Sequence, residues 1–179
     1  MADTDFQSDY FRMTGKKFFG SPRDLLQIFL RHSLHYMWWY RQYSKKQSKV
    51  ARYILHCFAK KYGLEIIPKK CGRGLYLGHP YNITVNSAAE IGNYCSLHKG
   101  CTIGAENRGK RQGAPVLGDY VYVGINATII GNIKIGNDVM IAPNSFVNFD
   151  VPAHSVVVGN PGEIHHKEKA TEGYIAFCD

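Results

Sequence analysis

Counting in sixes from Leu117 meets only aliphatic side chains: Leu117, Val123, Ile129, Ile135, Ile141 and Val147. Two places before each stands a compact or β-branched residue, running from Pro115, Val121 and Ala127 to Ile133, Val139 and Ser145. A period of six fits neither a helix, whose apolar face recurs near 3.6 residues, nor the strict alternation of a half-buried strand. It is the pattern of a parallel β-helix, where short flat strands and turns stack coil on coil and each coil covers its neighbour's apolar edge. The aliphatic positions should then point inward as ladders.

The same phase extends backwards through Ile103, Leu97 and Ile91, with Cys101, Cys95 and Ala89 as their small partners. Further back lie Ile83, Leu77 and Cys71, and the register slips by two between Ile83 and Val85. From Ile103 to Leu117 the spacing is fourteen instead of six. The excess, 105–114, is polar, basic and glycine-bearing, so the coil should expel it as an external loop. Loops that interrupt a repeat tend to lie on its binding face. The repeat domain is expected over 63–160, followed by a tail or cap at 161–179.

Charge divides the chain. Residues 1–62 hold 12 Lys and Arg against 4 Asp and Glu, whereas 63–179 hold 10 against 10. All of the net charge of +8 therefore sits at the front. After an N-terminal segment, 1–20, a helical region is expected at 21–62. Ser21-Pro22-Arg23-Asp24 combines an N-cap residue, a first-turn proline and an acid at the positive end of the dipole. Leu26, Leu30, Leu34 and Met37/Trp38 continue it as an apolar stripe. A second helix should carry Val50, Tyr53, Ile54, Cys57 and Phe58 on one face and close with Gly63 as its C-cap. The aromatic cluster around Trp38-Trp39 should pack on the β-helix or a neighbouring chain, with an interfacial surface as the sharper reading.

Several classes are disfavoured. Arg31, His32 and His35 interrupt the best candidate for a membrane span, and the polar, acidic start shows no signal peptide. The five cysteines are scattered, with no CxxC or His/Cys cluster to hold zinc or build a disulfide framework. A cytoplasmic protein is expected, possible contact being with the inner face of the membrane. Without a base-reading motif, the basic front does not argue for nucleic acid.

A β-helix has no cleft of its own, so chemistry must sit on its turns. His79 follows Leu77 by two places in Leu-Gly-His-Pro, where the coil turns and the side chain should face outward. Imidazole exchanges a proton near neutral pH and is the usual general base. Glu65 lies 14 residues earlier, less than one coil, and so about one strand spacing, ~4.8 Å, away in the stack. There it would fix the imidazole's tautomer. His98, next to Leu97, is a second outward candidate.

The run from Glu65-Ile66-Ile67-Pro68 through Gly72-Arg73-Gly74 to Gly78-His79 resembles the entry to the catalytic domain of serine O-acetyltransferases. The resemblance continues through Ile91-Gly92-Asn93, Gly100-Cys101-Thr102-Ile103-Gly104, Gly131-Asn132-Ile133-Lys134 and Val151-Pro152-Ala153-His154. It implies a left-handed β-helix of hexapeptide repeats, acetyl-CoA as donor, no metal, and a homotrimer whose sites are shared between chains. It also implies His79 as general base with Glu65 as its orienting acid. Coenzyme A would lie along backbone groups at Ala105, Gly124-Ile125 and Ala142-Pro143, with Lys134 nearby.

Two departures shape the expected substrate. The related family has an acid where this chain has Gly78, and Asp-Arg-His where it has Gln112, Gly113 and Ala114. Arg108 and Arg111 remain in the loop at shifted positions. An amino acid's carboxylate needs a charged partner to offset its desolvation. The pattern therefore resembles the capsule and lipopolysaccharide O-acetyltransferase branch, and implies a saccharide acceptor bound by His98, Arg108 and Arg111, with or without a lipid carrier at the membrane surface. The alternatives are a serine O-acetyltransferase of cysteine biosynthesis, and a non-catalytic scaffold or carbonic-anhydrase-like metal protein.

Overall fold

The computed structural model describes residues 4–178 and consists of four helices followed by fifteen short strands. The helices are α1 (Thr4–Thr14), α2 (Pro22–Leu30), α3 (His32–Lys46) and α4 (Lys49–Tyr62). The start of α2 is built as its sequence implies. The Ser21 hydroxyl accepts from Asp24 N at 3.2 Å, and the Asp24 carboxylate accepts from Ser21 N at 3.0 Å. Gly63 ends α4 in the left-handed region at φ 66°, where glycine carries no steric cost.

Three features of the front differ from expectation. α1 occupies the segment left without structure. The stripe from Leu26 to Trp38 is not one helix, because Arg31 is extended and caps α2 and α3 at once. The break turns Leu34 and Met37 fully inward, while Leu26 and Leu30 stay exposed. On α4 the buried face is Ala51, Leu55 and Phe58, one step round from the expected stripe, and Val50 and Tyr53 face outward. Packing partners decided these faces over intrinsic pattern.

A buried ion pair joins the helices to the repeat domain. Arg41 on α3 grips Asp9 on α1 through Nε at 2.8 Å and Nη2 at 2.9 Å. Its remaining donors reach the carbonyls of Cys71 and Gly72, and Asp9 also accepts from Leu75 N at 2.8 Å. Nearly every hydrogen-bonding position of the pair is thus used, as a desolvated pair requires.

The strands form three parallel faces of a β-helix of about five turns. The first face holds β1 (Leu64–Ile66), β4 (Ile83–Val85), β7 (Thr102–Gly104), β10 (Thr128–Ile130) and β13 (Phe146–Val147). The second holds β2 (Lys70–Cys71), β5 (Glu90–Ile91), β8 (Val116–Leu117) and β11 (Lys134–Ile135). The third holds β3 (Tyr76–Gly78), β6 (Ser96–His98), β9 (Val121–Val123), β12 (Val139–Ile141), β14 (Ser155–Val158) and β15 (Glu163–His166). β15 runs antiparallel to β14, so the first part of the expected tail closes this face as a hairpin.

The six-residue register is the core. In the first face Ile66, Val85, Ile103, Ile129 and Val147 lie in one ladder, and in the third Leu77, Leu97, Val123, Ile141 and Val157 do the same. The small partners fall in buried positions too: Ala89, Cys95, Cys101 and Ala127 are all 0% exposed. The fold is the left-handed parallel β-helix with a helical front that the repeat implies.

Candidate active site

Each coil passes from the third face to the first through a sharp corner, and these corners stack. Lys99 N donates to Gly78 O at 3.0 Å, Asn126 N to Lys99 O at 3.0 Å and Asn144 N to Ile125 O at 2.9 Å. His79 stands on this edge, exposed, with φ at 48°. A left-handed conformation at a non-glycine residue is uncommon and is held only where surroundings determine it. Here they do. Tyr81 N donates to His79 O at 2.8 Å, and the His32 ring nitrogen lies 3.3 Å from Pro80 O. His32 also stacks on Tyr62 at 4.7 Å and touches Tyr81 at 5.0 Å. The first residue of α3 and the last of α4 thus brace the turn that presents His79. Sequence reading missed His32, Tyr62 and Tyr81, since no local pattern ties residues so far apart.

His98 lies next to this turn. Its ring is 4.6 Å from Tyr122 and 6.0 Å from Tyr76, and Tyr122 in turn meets Tyr174 of the C-terminal segment at 5.3 Å. Burial lowers the basicity of His98, and the neighbouring His79 lowers it further. The two histidines singled out from sequence therefore share one electrostatic environment. The His98 ring also explains Gly78: a β-carbon on residue 78 would stand 2.3 Å from His98 Nδ1.

Gly124 and Ile125, and after them Ala142 and Pro143, line the same edge on later coils. Gly124 N donates to Ile141 O at 2.9 Å, and a β-carbon on Gly124 would stand 2.7 Å from Pro143 N. The coils are thus in backbone contact here, leaving an edge made mainly of main chain with Ile125 40% exposed. Such an edge fits a ligand held by backbone groups, as coenzyme A was expected to be. Two expected members lie elsewhere. Ala105 opens the external loop at the far end of the first face, and exposed Lys134 is on the second face.

The remaining residues are not brought to His79 within one chain. Glu65 is on β1, paired with Thr84, and makes no hydrogen bond or ion pair to His79. It lines a cavity of about 390 Å³ with Tyr36, Arg52, His56 and Thr84. Loop 105–114 folds back on itself through paired Glu106–Gly113 hydrogen bonds of 2.9 Å each. Arg111 is committed to Asn148 O, while Arg108 is exposed. The loop follows β7, whereas His79 precedes β4, so they occupy opposite ends of parallel strands. Among the described residues no group of three His, Cys, Asp or Glu side chains gathers to hold a metal.

Residues 114–148 match the bacterial transferase hexapeptide (six repeats) family. The serine acetyltransferase of Helicobacter pylori is 34% identical over 146 residues, covering 81% of each chain. That of Synechococcus elongatus is 32% identical over 126 residues, 70% of this chain; the chain spans about half (52%) of that relative's length. The crystal structure of Neisseria gonorrhoeae serine acetyltransferase in complex with serine superposes with a TM-score of 0.73 at 28% identity, covering 90% of this chain and 67% of that one.

These likenesses overturn the assignment to the capsule and lipopolysaccharide branch, and with it the saccharide acceptor, lipid-linked or free. The physical reason the residues misled is that Gly78 and Gly113 answer to packing. The first makes room for His98, and the second, at φ 132°, sits 3.0 Å (as a β-carbon) from Asn132 Cβ. Neither reports on the acceptor. The chain belongs to the hexapeptide-repeat acyltransferases, in the company of proteins named serine acetyltransferase.

Proposed function

We propose that this protein transfers the acetyl group of acetyl-CoA to the hydroxyl of serine, with His79 as the general base. The observation that carries the reading is the 34% identity to a serine acetyltransferase across 81% of both chains, which takes in helices and β-helix alike. The geometry agrees with it. His79 is exposed on a braced turn, on the edge where Gly124-Ile125 and Ala142-Pro143 present main chain.

Acetyl-CoA supplies the acyl group as a thioester. The His79 imidazole accepts the serine hydroxyl proton as that oxygen forms its bond to the acyl carbon, and returns a proton to the departing thiolate. The tyrosine-lined face beside His98 keeps one side of the site partly dry, which strengthens electrostatic contacts there. Glu65 has no contact that would let it orient His79 within one chain, so we give it no part in this step.

We further propose a homotrimer. It accounts for the open His79 edge and for a loop that lies at the wrong end of its own strands: a neighbour's loop would complete the site. Exposed Arg108 is then the cation available to serine's carboxylate, with Arg111 holding the loop. The buried thiols of Cys95 and Cys101 suit a reducing compartment, and we place the protein in the cytoplasm.

The test is thiol release from acetyl-CoA by the purified full chain with and without L-serine. Serine-dependent release, with O-acetylserine as product, is expected. Release that does not respond to serine would overturn the reading.

A further inference from the structure

We infer that α2 and the residues just before it form an anchor that docks the protein on an anionic lipid surface. α2 is turned inside out for a helix of a water-exposed domain. Leu25, Leu26, Phe29 and Leu30 are 45%, 55%, 70% and 68% exposed, Phe19 just upstream is 83% exposed, and only Ile28 is buried. At 3.6 residues per turn the four helix residues make one continuous stripe, roughly 140° wide.

This orientation is held in place. Tyr10 donates to Asp24 Oδ1 at 2.9 Å from the opposite side of α2, and the Ser21–Asp24 capping box secures its first turn. The stripe therefore faces outward because the other side is bonded to α1. Among the described residues no helix is long and apolar enough to cross a membrane, so the arrangement suits lying on a surface and not spanning it.

Charge identifies the occupant. Lys16, Lys17, Arg23 and Arg31 are exposed and surround a basin of about 650 Å³ walled by Phe19 and Leu26. The single acid lining it, Asp24, is already engaged by Tyr10 and by the N–H groups of Phe19 and Ser21. The four cations flank one edge of the stripe, where Leu26 and Phe19 meet them, and this sets acyl-chain contacts beside phosphate contacts. A second copy docked patch to patch fits poorly. Pairing this patch with itself about a two-fold axis sets the same four cations against one another with no acid to answer them. The inference is independent of which hydroxyl the enzyme acetylates.

The experiment is co-sedimentation of the full chain with vesicles of phosphatidylcholine alone and with about 30% phosphatidylglycerol added, at low and high salt. Binding to the anionic vesicles only, weakening as salt rises, is expected. Phe29→Ser/Leu30→Ser should weaken it about tenfold or more, and Lys16→Ala/Lys17→Ala on the order of thirtyfold. Lys16 and Lys17 are exposed, so their variant should keep the parent's melting temperature. Phe29→Ser/Leu30→Ser gives up the edge contact of Phe29 with His35 at 5.3 Å, so its melting temperature should fall only slightly. Equal binding to both vesicle types, no binding, or undiminished binding by the variants would overturn the inference. So would a fall in solution mass for Phe29→Ser/Leu30→Ser, measured by light scattering without lipid, since the face would then be a contact between copies.

Discussion

The His98 imidazole covers Gly78 so closely that residue 78 has no room for a β-carbon, which would fall 2.3 Å from Nδ1 and 2.4 Å from Cε1. Because Tyr122 and Tyr76 flank the ring, His98 cannot swing aside freely. Gly78→Ala should cost about 1–3 kcal/mol, the usual penalty for overpacking a close-fitted site. Thermal melts measure the cost, and the His98 ring proton resonances should shift with it. An alanine variant as stable as the parent would show that the ring moves without strain.

The depressed basicity of His98 has a signed consequence. The unfolded chain protonates this imidazole near its ordinary pKa of about 6.5, before the folded chain does. Its contribution to stability is therefore full above that pH, declines as pH falls towards the lower folded value, and levels off beneath it. Urea titrations at pH 7.5 and at stepwise lower pH should show this decline in the parent and a flatter profile in His98→Phe.

Two ion pairs of opposite character should separate cleanly. Asp9–Arg41 is buried, its side chains 0% and 3% exposed, whereas Lys69–Glu90 is 68% and 31% exposed. Asp9→Ala leaves the buried Arg41 guanidinium with only the half-exposed Asp5 at 4.0 Å and should cost about 3–5 kcal/mol. Glu90→Gln should cost about 0–1 kcal/mol. Denaturant midpoints of the two variants provide the comparison, and similar values would mean that water reaches Arg41.

What could be read beforehand follows from how each contact is encoded. The β-helix was legible because each inward residue repeats its neighbour six places on, so Ile103, Ile129 and Val147 announce a ladder that coil stacking then builds. The Ser21 cap and Gly63 stop were legible because caps are local. The helix faces were not. Whether Leu34 or Leu30 turns inward depends on Asp9 and Tyr10 of α1, and no periodicity within α2 or α3 contains them. His79 was visible as a histidine at a coil corner, but its support by His32 and Tyr62 arises only once the helical front folds over that corner. Gly78 was read as a missing acid when it is the space another ring fills.

The most direct test of the account is the turnover number for acetylation of L-serine by the parent protein and by His79→Ala, at saturating acetyl-CoA. The parent should acetylate serine, and the variant's kcat should fall by about 10²–10⁴, the contribution of a positioned general base, with the KM for acetyl-CoA little changed. A variant that turns serine over at nearly the parent's rate would remove His79 from the chemistry and contradict the account.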